Sequence, residues 1–535
     1  MKSIWYWGRT SLFLLLAFTL VLAGCSSSSD GAEEKILKMN IPTGEPDSLD
    51  PAKAFDEQSM DVVNALFEGL LRLDEEHQPQ PAVAEKVEKS EDGLVYTFHL
   101  GDAKWSNGEP VTAEDFEYAW KRVLNPDTAA KPAFLLYFIE NAEAYNNGEA
   151  KEDEVGVKAL DEKTLEVRLG QPTPYFEQLV CYTPFYPVYK KGLEENDKMY
   201  GDAESYVSNG PFKMAEWSHD SKIKVEKNEH YREADKVKLD GIEWSMVKDE
   251  NTAYQMYENG EFHIGSAPND LQAKLIEEGK IEVGPSSGLE FFRFNVTKEP
   301  FTNKKIRQAF ALAVDRKSII DNVVQGNQEA ALAYVAPGTV TSLGDFRENG
   351  EDQIEDAQFE KAKKLLEEGM KEEGWDKLPK ISLLYNDTEQ NKLIAEVLQE
   401  TYRKHLGVTI ELESVEVGTY FERRGKLDYN IARSSFIADY NDPYNYLESF
   451  QTGHSMNQTG WSNKKYDELL KKAFKEADEK RRVEYLYEAE KLLFEEMPIF
   501  PLYYYNSRVM QKDEVTNVLR HPVGPNDYRF VDIKE

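Results

Sequence analysis

"LVYTFHLGDAKWSNGEPVTAEDFEYAWKRVLNP", residues 94–126, changes its period partway through. Its first seven residues alternate apolar and polar, the pattern of a half-buried strand. Thr112 and Asp115 then form a helix start signal, because each side chain can satisfy a backbone group that the first turn leaves open. Phe116, Ala119, Trp120 and Val123 follow at i, i+3, i+4 and i+7, one apolar face of a helix. A strand feeding a capped amphipathic helix is the unit of a layered α/β protein.

The same unit recurs outward from this stretch. Strand patterns appear in "ILKMNI", "TLEVRL", "KIKVEK", "LEFFRFNV", "ISLLYN", "VTIELESVEV" and "YNIARSSF". Helical patterns appear in "TNKKIRQAFALAV", with Asp315 able to cap the turn after it, and in the longer "DAQFEKAKKLLEEGMKEEG" and "RRVEYLYEAEKLLFEEMP". Their charged residues read as solvated faces. The class expected is α/β, or mixed α+β layers, without tandem repeats. The 535 residues exceed one ordinary core and imply two or three domains.

The N-terminus speaks to compartment. Lys2 and Arg9 precede "SLFLLLAFTLVLA" (11–23), an apolar run too short to span a bilayer and suited to a signal peptide. "LAGC" ends at Cys25 and is followed by the polar "SSSSDGAEE". This resembles a bacterial lipobox. The resemblance implies cleavage before Cys25, acylation of its thiol, and a body tethered to the outer face of the cell membrane. Loss of residues 1–24 removes Lys2 and Arg9, moving the net charge from −34 to −36. So acidic a body disfavours nucleic acid as a partner. Of the two cysteines only Cys181 is then left, so no internal disulfide is expected, and its apolar neighbours fit a small buried side chain.

"FIADYNDPYNYLESF" (436–450) crowds Asp439 and Asp442 among aromatics, with Arg433 just upstream. A calcium loop counted from Asp439 would need Gly sixth and Glu twelfth, where Tyr444 and Phe450 stand. A catalytic carboxylate pair is left open by sequence. So is a structural reading, in which Asp439 caps a helix with Pro443 in its first turn. "GPSSG" (284–288) matches the nucleophile elbow literally, but a strand pattern follows Ser286, so a turn between strands is expected and not an elbow. No metal spacing or phosphate-binding loop is present, and neither a metal nor a cofactor is expected.

Nine segments together resemble the dipeptide/oligopeptide-binding family of bacterial extracytoplasmic solute-binding proteins (family 5), which serve ABC importers. They are "EPDSLDP" (45–51), "LFEGLLRLD" (66–74), "YTFHLGDAKWSNGEPVTAEDFEYAWKRVLNP" (96–126), "SNGPFKMAEW" (208–217), "ENGEFHI" (258–264), "PFTNKKIRQAFALAVDRKSIIDNVV" (300–324), "LLYND" (383–387), "ADYNDP" (438–443) and "PIFPLYYYNSRVM" (498–510). The resemblance implies a bilobal, type II periplasmic-binding-protein-like fold with a hinged ligand cleft. On this chain, lobe I would comprise 36–66, 190–290 and 507–535, an inserted domain 67–189, and lobe II 291–506.

By the same resemblance Asp439 meets the ammonium of a peptide, Arg433 its carboxylate, and Arg424 the carboxylate at another peptide length. The chemistry suits the residues: an enclosed ammonium needs a carboxylate, and the guanidinium fork grips carboxylates. Phe436 and Tyr440 would surround the amine, Tyr503, Tyr505, Trp105 and Asn209 would line or support the cleft, and one of Tyr503–Tyr505 would face the core. Departures from the family pattern are Asn391 in place of a His, Val417 in place of an aromatic, Phe436 in place of Trp, and Gly288 with Ile437 where some members carry a disulfide.

The function expected is a lipid-anchored monomeric receptor, not an enzyme, that clamps peptides of about two to five residues by main-chain pairing and passes them to membrane permease subunits. The alternatives are a same-fold receptor for a nickel chelate or an oligosaccharide, and a secreted hydrolase.

Overall fold

The computed structural model describes residues 34–534. The expected signal peptide and Cys25 lie outside the described residues. The chain divides after Lys35, and Ile36 onward forms one unit. Two larger sheets carry its fourteen main strands: β1 (Ile36–Asn40), β2 (Ala84–Lys89), β3 (Val95–Leu100), β4 (Val157–Asp161), β5 (Thr164–Arg168), β6 (Phe212–Ser218), β7 (Lys222–Lys227), β8 (Gly241–Ser245), β9 (Ile264–Gly265), β10 (Glu282–Phe294), β11 (Ser382–Asn386), β12 (Glu411–Val415), β13 (Ile431–Ile437) and β14 (Ile499–Gln511).

The stretch 94–126 forms β3 and helix α1 (Ala113–Leu124). Asp115 accepts from the Thr112 N–H at 2.9 Å and from its hydroxyl at 3.0 Å, so the first turn closes as its sequence foretells. Phe116, Ala119, Trp120 and Val123 are all buried. Trp120 donates its indole N–H to the Phe185 carbonyl at 2.8 Å, satisfying the one polar atom of a fully buried ring. β3 sits in a four-stranded antiparallel sheet, order β2–β3–β5–β4.

The larger sheet runs β12–β11–β13–β10–β14–β9–β1–β8–β7–β6. Its two longest strands, β10 and β14, are antiparallel neighbours of 13 residues each at its middle. Strands from before residue 270 lie on the β14 side, and strands from 382–437 on the β10 side. The β10–β14 ladder loses register between Pro285 and Leu289. That irregularity is where "GPSSG" falls. The expected turn is corrected here: the segment stays extended within β10, its Ser287 N–H turned aside to the Pro522 carbonyl at 3.1 Å. Ser286 therefore lies inside a strand and lacks the strand–turn–helix geometry of a nucleophile elbow.

Helices follow their capping signals. Asn303 caps Lys304–Leu312, and Asp315 accepts from the Ser318 N–H at 2.9 Å. Helix α2 (Glu389–His405) opens at Thr388, α3 (Val417–Gly425) at Glu416, and α4 (Pro443–Glu448) at Asp442. Cys181 is buried, and burial pushes its thiol well above the usual range, which leaves it an inert small side chain. Among the described residues no helix is long and apolar enough to cross a membrane, and no cluster of His, Cys, Asp and Glu is poised for a metal.

Candidate functional site

The site is built on β13 and the loop after it. β11 pairs with β13 only at Ile431 and Ala432, so beyond Ala432 no strand of the described residues covers that edge. On the other edge β13 pairs with β10 from Ile431 to Ile437. The Ala438 N–H points toward β10, bonding the Ser287 carbonyl at 2.8 Å, while the Arg433 carbonyl points away and takes the Tyr420 hydroxyl. Backbone groups alternate in direction along an antiparallel strand, so the N–H and C=O of Ser435 and Ile437 face the uncovered side. Ile437 is 70 % exposed, unusual for an isoleucine in a central strand and consistent with an edge that awaits a partner.

Asp439 ends this edge. One side of it is open to solvent, yet protein surrounds it closely enough that burial pushes its carboxyl above the usual range. Asn445 anchors it, its Oδ1 accepting the Asp439 N–H at 2.9 Å. No cation pairs with Asp439 among the described residues. The neighbouring acid differs: Asp442 accepts from the Tyr444 N–H at 2.8 Å and from Arg482 at 2.5 Å. It is Asp442, not Asp439, that caps the helix with Pro443 in its first turn, so the helix-cap reading of Asp439 is corrected.

Arg433 is committed within the protein. Its guanidinium grips Glu290 with two contacts of 2.5 Å, and Tyr505 donates to the same carboxylate at 2.8 Å. Burial works against the charge of Arg433, but the carboxylate of Glu290 outweighs it and holds the proton more firmly than usual. Tyr503 and Tyr505 share this face with Glu290, while Tyr504 turns to the other and bonds the Ala333 carbonyl at 3.0 Å.

Arg424, on α3, is buried and has no acid partner among the described residues. It donates to Gln458 at 2.6 Å, to the Tyr420 hydroxyl at 3.0 Å and to the Ser434 hydroxyl at 3.3 Å. Arg293, which the sequence did not single out, donates to the same Ser434 hydroxyl at 2.9 Å and to the Met456 carbonyl at 2.8 Å. It too lacks an acid, and burial lowers its affinity for the proton, with Arg424 nearby acting the same way. Two guanidiniums around one hydroxyl, without a carboxylate, form a buried positive centre that an anion would relieve.

Other expected residues have structural partners. Asn391 lies in the first turn of α2, donating to the Asn386 carbonyl and side chain at 3.1 Å each. Asn209 holds the Glu68 backbone through both its N–H (3.1 Å) and its C=O (2.9 Å). Trp105 is fully buried beside α1, donating to Asp115 at 3.3 Å, so it supports and does not line. Phe436 packs inward on Tyr446 at 4.9 Å. Gly288 and Ile437, the positions matching a disulfide in some relatives, are direct partners across β10 and β13. The sequence also gave no sign that Tyr175 and Tyr182, from the 67–189 stretch, reach this loop. Tyr175 stacks on Tyr440 at 4.6 Å, and the Tyr182 hydroxyl accepts the Asn441 N–H at 3.3 Å.

This arrangement can bind an extended, doubly charged chain: an unpaired strand edge, an unpaired carboxylate at its end, and unpaired guanidiniums beside it. Comparison with known proteins shows what the whole chain is similar to. Residues 78–458 match the family model described as bacterial extracellular solute-binding proteins, family 5 Middle. The dipeptide-binding protein DppE of Bacillus subtilis (strain 168) is 44 % identical over 544 residues, covering 99 % of both chains. Among solved structures, the MppA periplasmic murein tripeptide binding protein in its unliganded open form has a TM-score of 0.83 at 30 % identity, covering 94 % of this chain and 98 % of that one. Listeria monocytogenes OppA bound to peptide has a TM-score of 0.70 at 31 % identity, covering 94 % and 100 %.

Proposed function

The chain belongs to the bacterial extracellular solute-binding proteins of family 5, and on that premise we propose that it is the receptor of an ABC importer, capturing short peptides and delivering them to membrane permease subunits. The observation that carries this reading is the pairing of an uncovered β13 edge with an unpaired Asp439 at its end. A peptide lies along Ser435–Ile437 as an added strand, held by groups common to every sequence. Its ammonium meets Asp439. Its carboxylate is received toward Arg433 and Arg424, and of these Arg424 is the one without an acid partner among the described residues.

The lobes are 36–66, 190–290 and 507–535 against 291–506, with 67–189 inserted. The hinge lies where β10 and β14 lose register, near Pro285–Leu289. The better overlay on an unliganded open form than on a peptide-bound chain, at 30 % against 31 % identity, supports an open state for this structure. Closure then follows from the extra contacts a peptide makes with the second lobe. The chain binds and performs no chemistry, and it is held to the membrane through acylated Cys25.

Expression of residues 26–535 followed by mass spectrometry of co-purified small molecules tests this. Peptides of narrow length are expected. A sugar or a metal chelate would overturn the peptide reading and leave the family intact.

A further inference from the structure

A second carboxylate stands behind Asp439. Glu448 closes α4 and is largely buried. Its Oε1 accepts from the Tyr440 hydroxyl at 3.0 Å and from Asn445 Nδ2 at 3.4 Å. The same Asn445 takes the Asp439 N–H on its Oδ1 at 2.9 Å, so one amide links the Glu448 carboxylate to the Asp439 backbone. An amide has one acceptor oxygen and two N–H donors. With the oxygen spent on the Asp439 backbone, the amide's donors are left for Glu448, and a flipped amide would aim its oxygen at that acid. Tyr440 is itself held from below by its stack on Tyr175, rings 4.6 Å apart and 16° from parallel. Asp442 is neutralised by Arg482, whereas neither Asp439 nor Glu448 has a cation among the described residues.

We propose that Glu448 is a positioning residue of the ammonium site: through Asn445 it orients Asp439, and its own charge adds to the field that the bound ammonium enters. This rests on the reading of Asp439 given above.

The groups facing Glu448 are Tyr440, Tyr175, Tyr444, Asp439, Asp442 and, beyond Asp442, Arg482. Burial pushes the Glu448 carboxyl up to about 7, the bonds from Tyr440 and Asn445 pull it down, and the charges of Asp439 and Asp442 push it up again. An ammonium arriving at Asp439 cancels that repulsion and draws the proton off Glu448. Affinity therefore climbs as pH rises toward 7. It falls once the peptide amine, whose ordinary titration lies near 8, loses its own proton.

The test is calorimetric titration of trialanine and N-acetyl-trialanine against wild type, Glu448→Gln and Asn445→Ala between pH 5.5 and 8. Wild type is expected to gain about tenfold in trialanine affinity from pH 5.5 to 7.5 and Glu448→Gln to stay nearly flat. Asn445→Ala is expected to bind weakly at every pH. Titration of wild type in two buffers of different ionisation enthalpy gives the protons released per peptide, independently of how any variant folds. Net release near pH 7, absent in Glu448→Gln, is expected. An unchanged pH slope in Glu448→Gln, or no release by wild type, overturns the role of Glu448 alone. Equal binding of the free and acetylated peptides by wild type overturns the reading of Asp439 and this inference with it.

Discussion

Glu290 and Arg433, from adjacent strands of the same sheet, form a two-pronged ion pair with both contacts at 2.5 Å, and Glu290 is 1 % exposed. The arginine expected to take a peptide carboxylate thus already holds one from the protein. Removing one member of a buried pair strands the other, at a cost of about 3–5 kcal/mol. Glu290→Gln is therefore expected to lower the melting temperature of the ligand-free protein. It also releases Arg433, and free-acid peptides should gain over their amides. Chemical denaturation and paired titrations check both effects.

Arg424 gives a complementary prediction. Among the described residues its guanidinium meets only neutral partners, with Arg293 across the Ser434 hydroxyl. Wild type should bind a peptide acid more tightly than the matching amide, by about 1.5–3 kcal/mol, the range for hydrogen bonds to charged groups. In Arg424→Met that difference should shrink toward zero. Should it persist there and vanish in Arg433→Met, the carboxylate belongs with Arg433.

Two buried carboxyls should each make ligand-free stability fall as pH rises. Burial holds both Asp61 and Glu448 up to about 7, from ordinary values near 4. Between those values the folded protein keeps protons that the unfolded chain has released, so rising pH favours unfolding. The loss is complete about one unit above pH 7 and amounts to about 3 kcal/mol for Glu448 and about 4 kcal/mol for Asp61. Paired carboxylates held low, such as Asp527 beside Arg72 and Arg529, titrate below this window and stay silent in it. Histidines that burial holds low, His521 among them, act the opposite way below pH 7, so the carboxyl's share is read from the difference between wild type and Glu448→Gln. Glu448→Gln should decline less and be the more stable of the two at pH 8.

The fold was legible where local pattern and packing agree. The 94–126 stretch became β3 and α1 with the expected face inward, because capping and periodicity act over a few residues. "GPSSG" was misread because Gly and Ser signal a turn locally, whereas pairing with β14 on both sides keeps the segment extended. Asp439 could be singled out from its motif, but its environment could not. Whether it or Asp442 capped the helix was a matter of one turn's geometry. Arg293, Glu290 and Tyr175 were invisible as site neighbours because each reaches the site from a distant part of the chain. Two charged residues in an otherwise apolar strand, "LEFFRFNV", were the signal available for Glu290 and Arg293.

The ammonium grip of Asp439 is the centre of the account, and calorimetry of trialanine and N-acetyl-trialanine on wild type and Asp439→Asn at pH 7.5 reads it directly. Losing the carboxylate leaves an enclosed ammonium unpaired, about 3–5 kcal/mol, so Asp439→Asn should bind trialanine roughly 200- to 5,000-fold more weakly. Acetylation should cost wild type a similar factor and cost the variant little. Unchanged affinity in Asp439→Asn, with wild type indifferent to acetylation, would contradict the account.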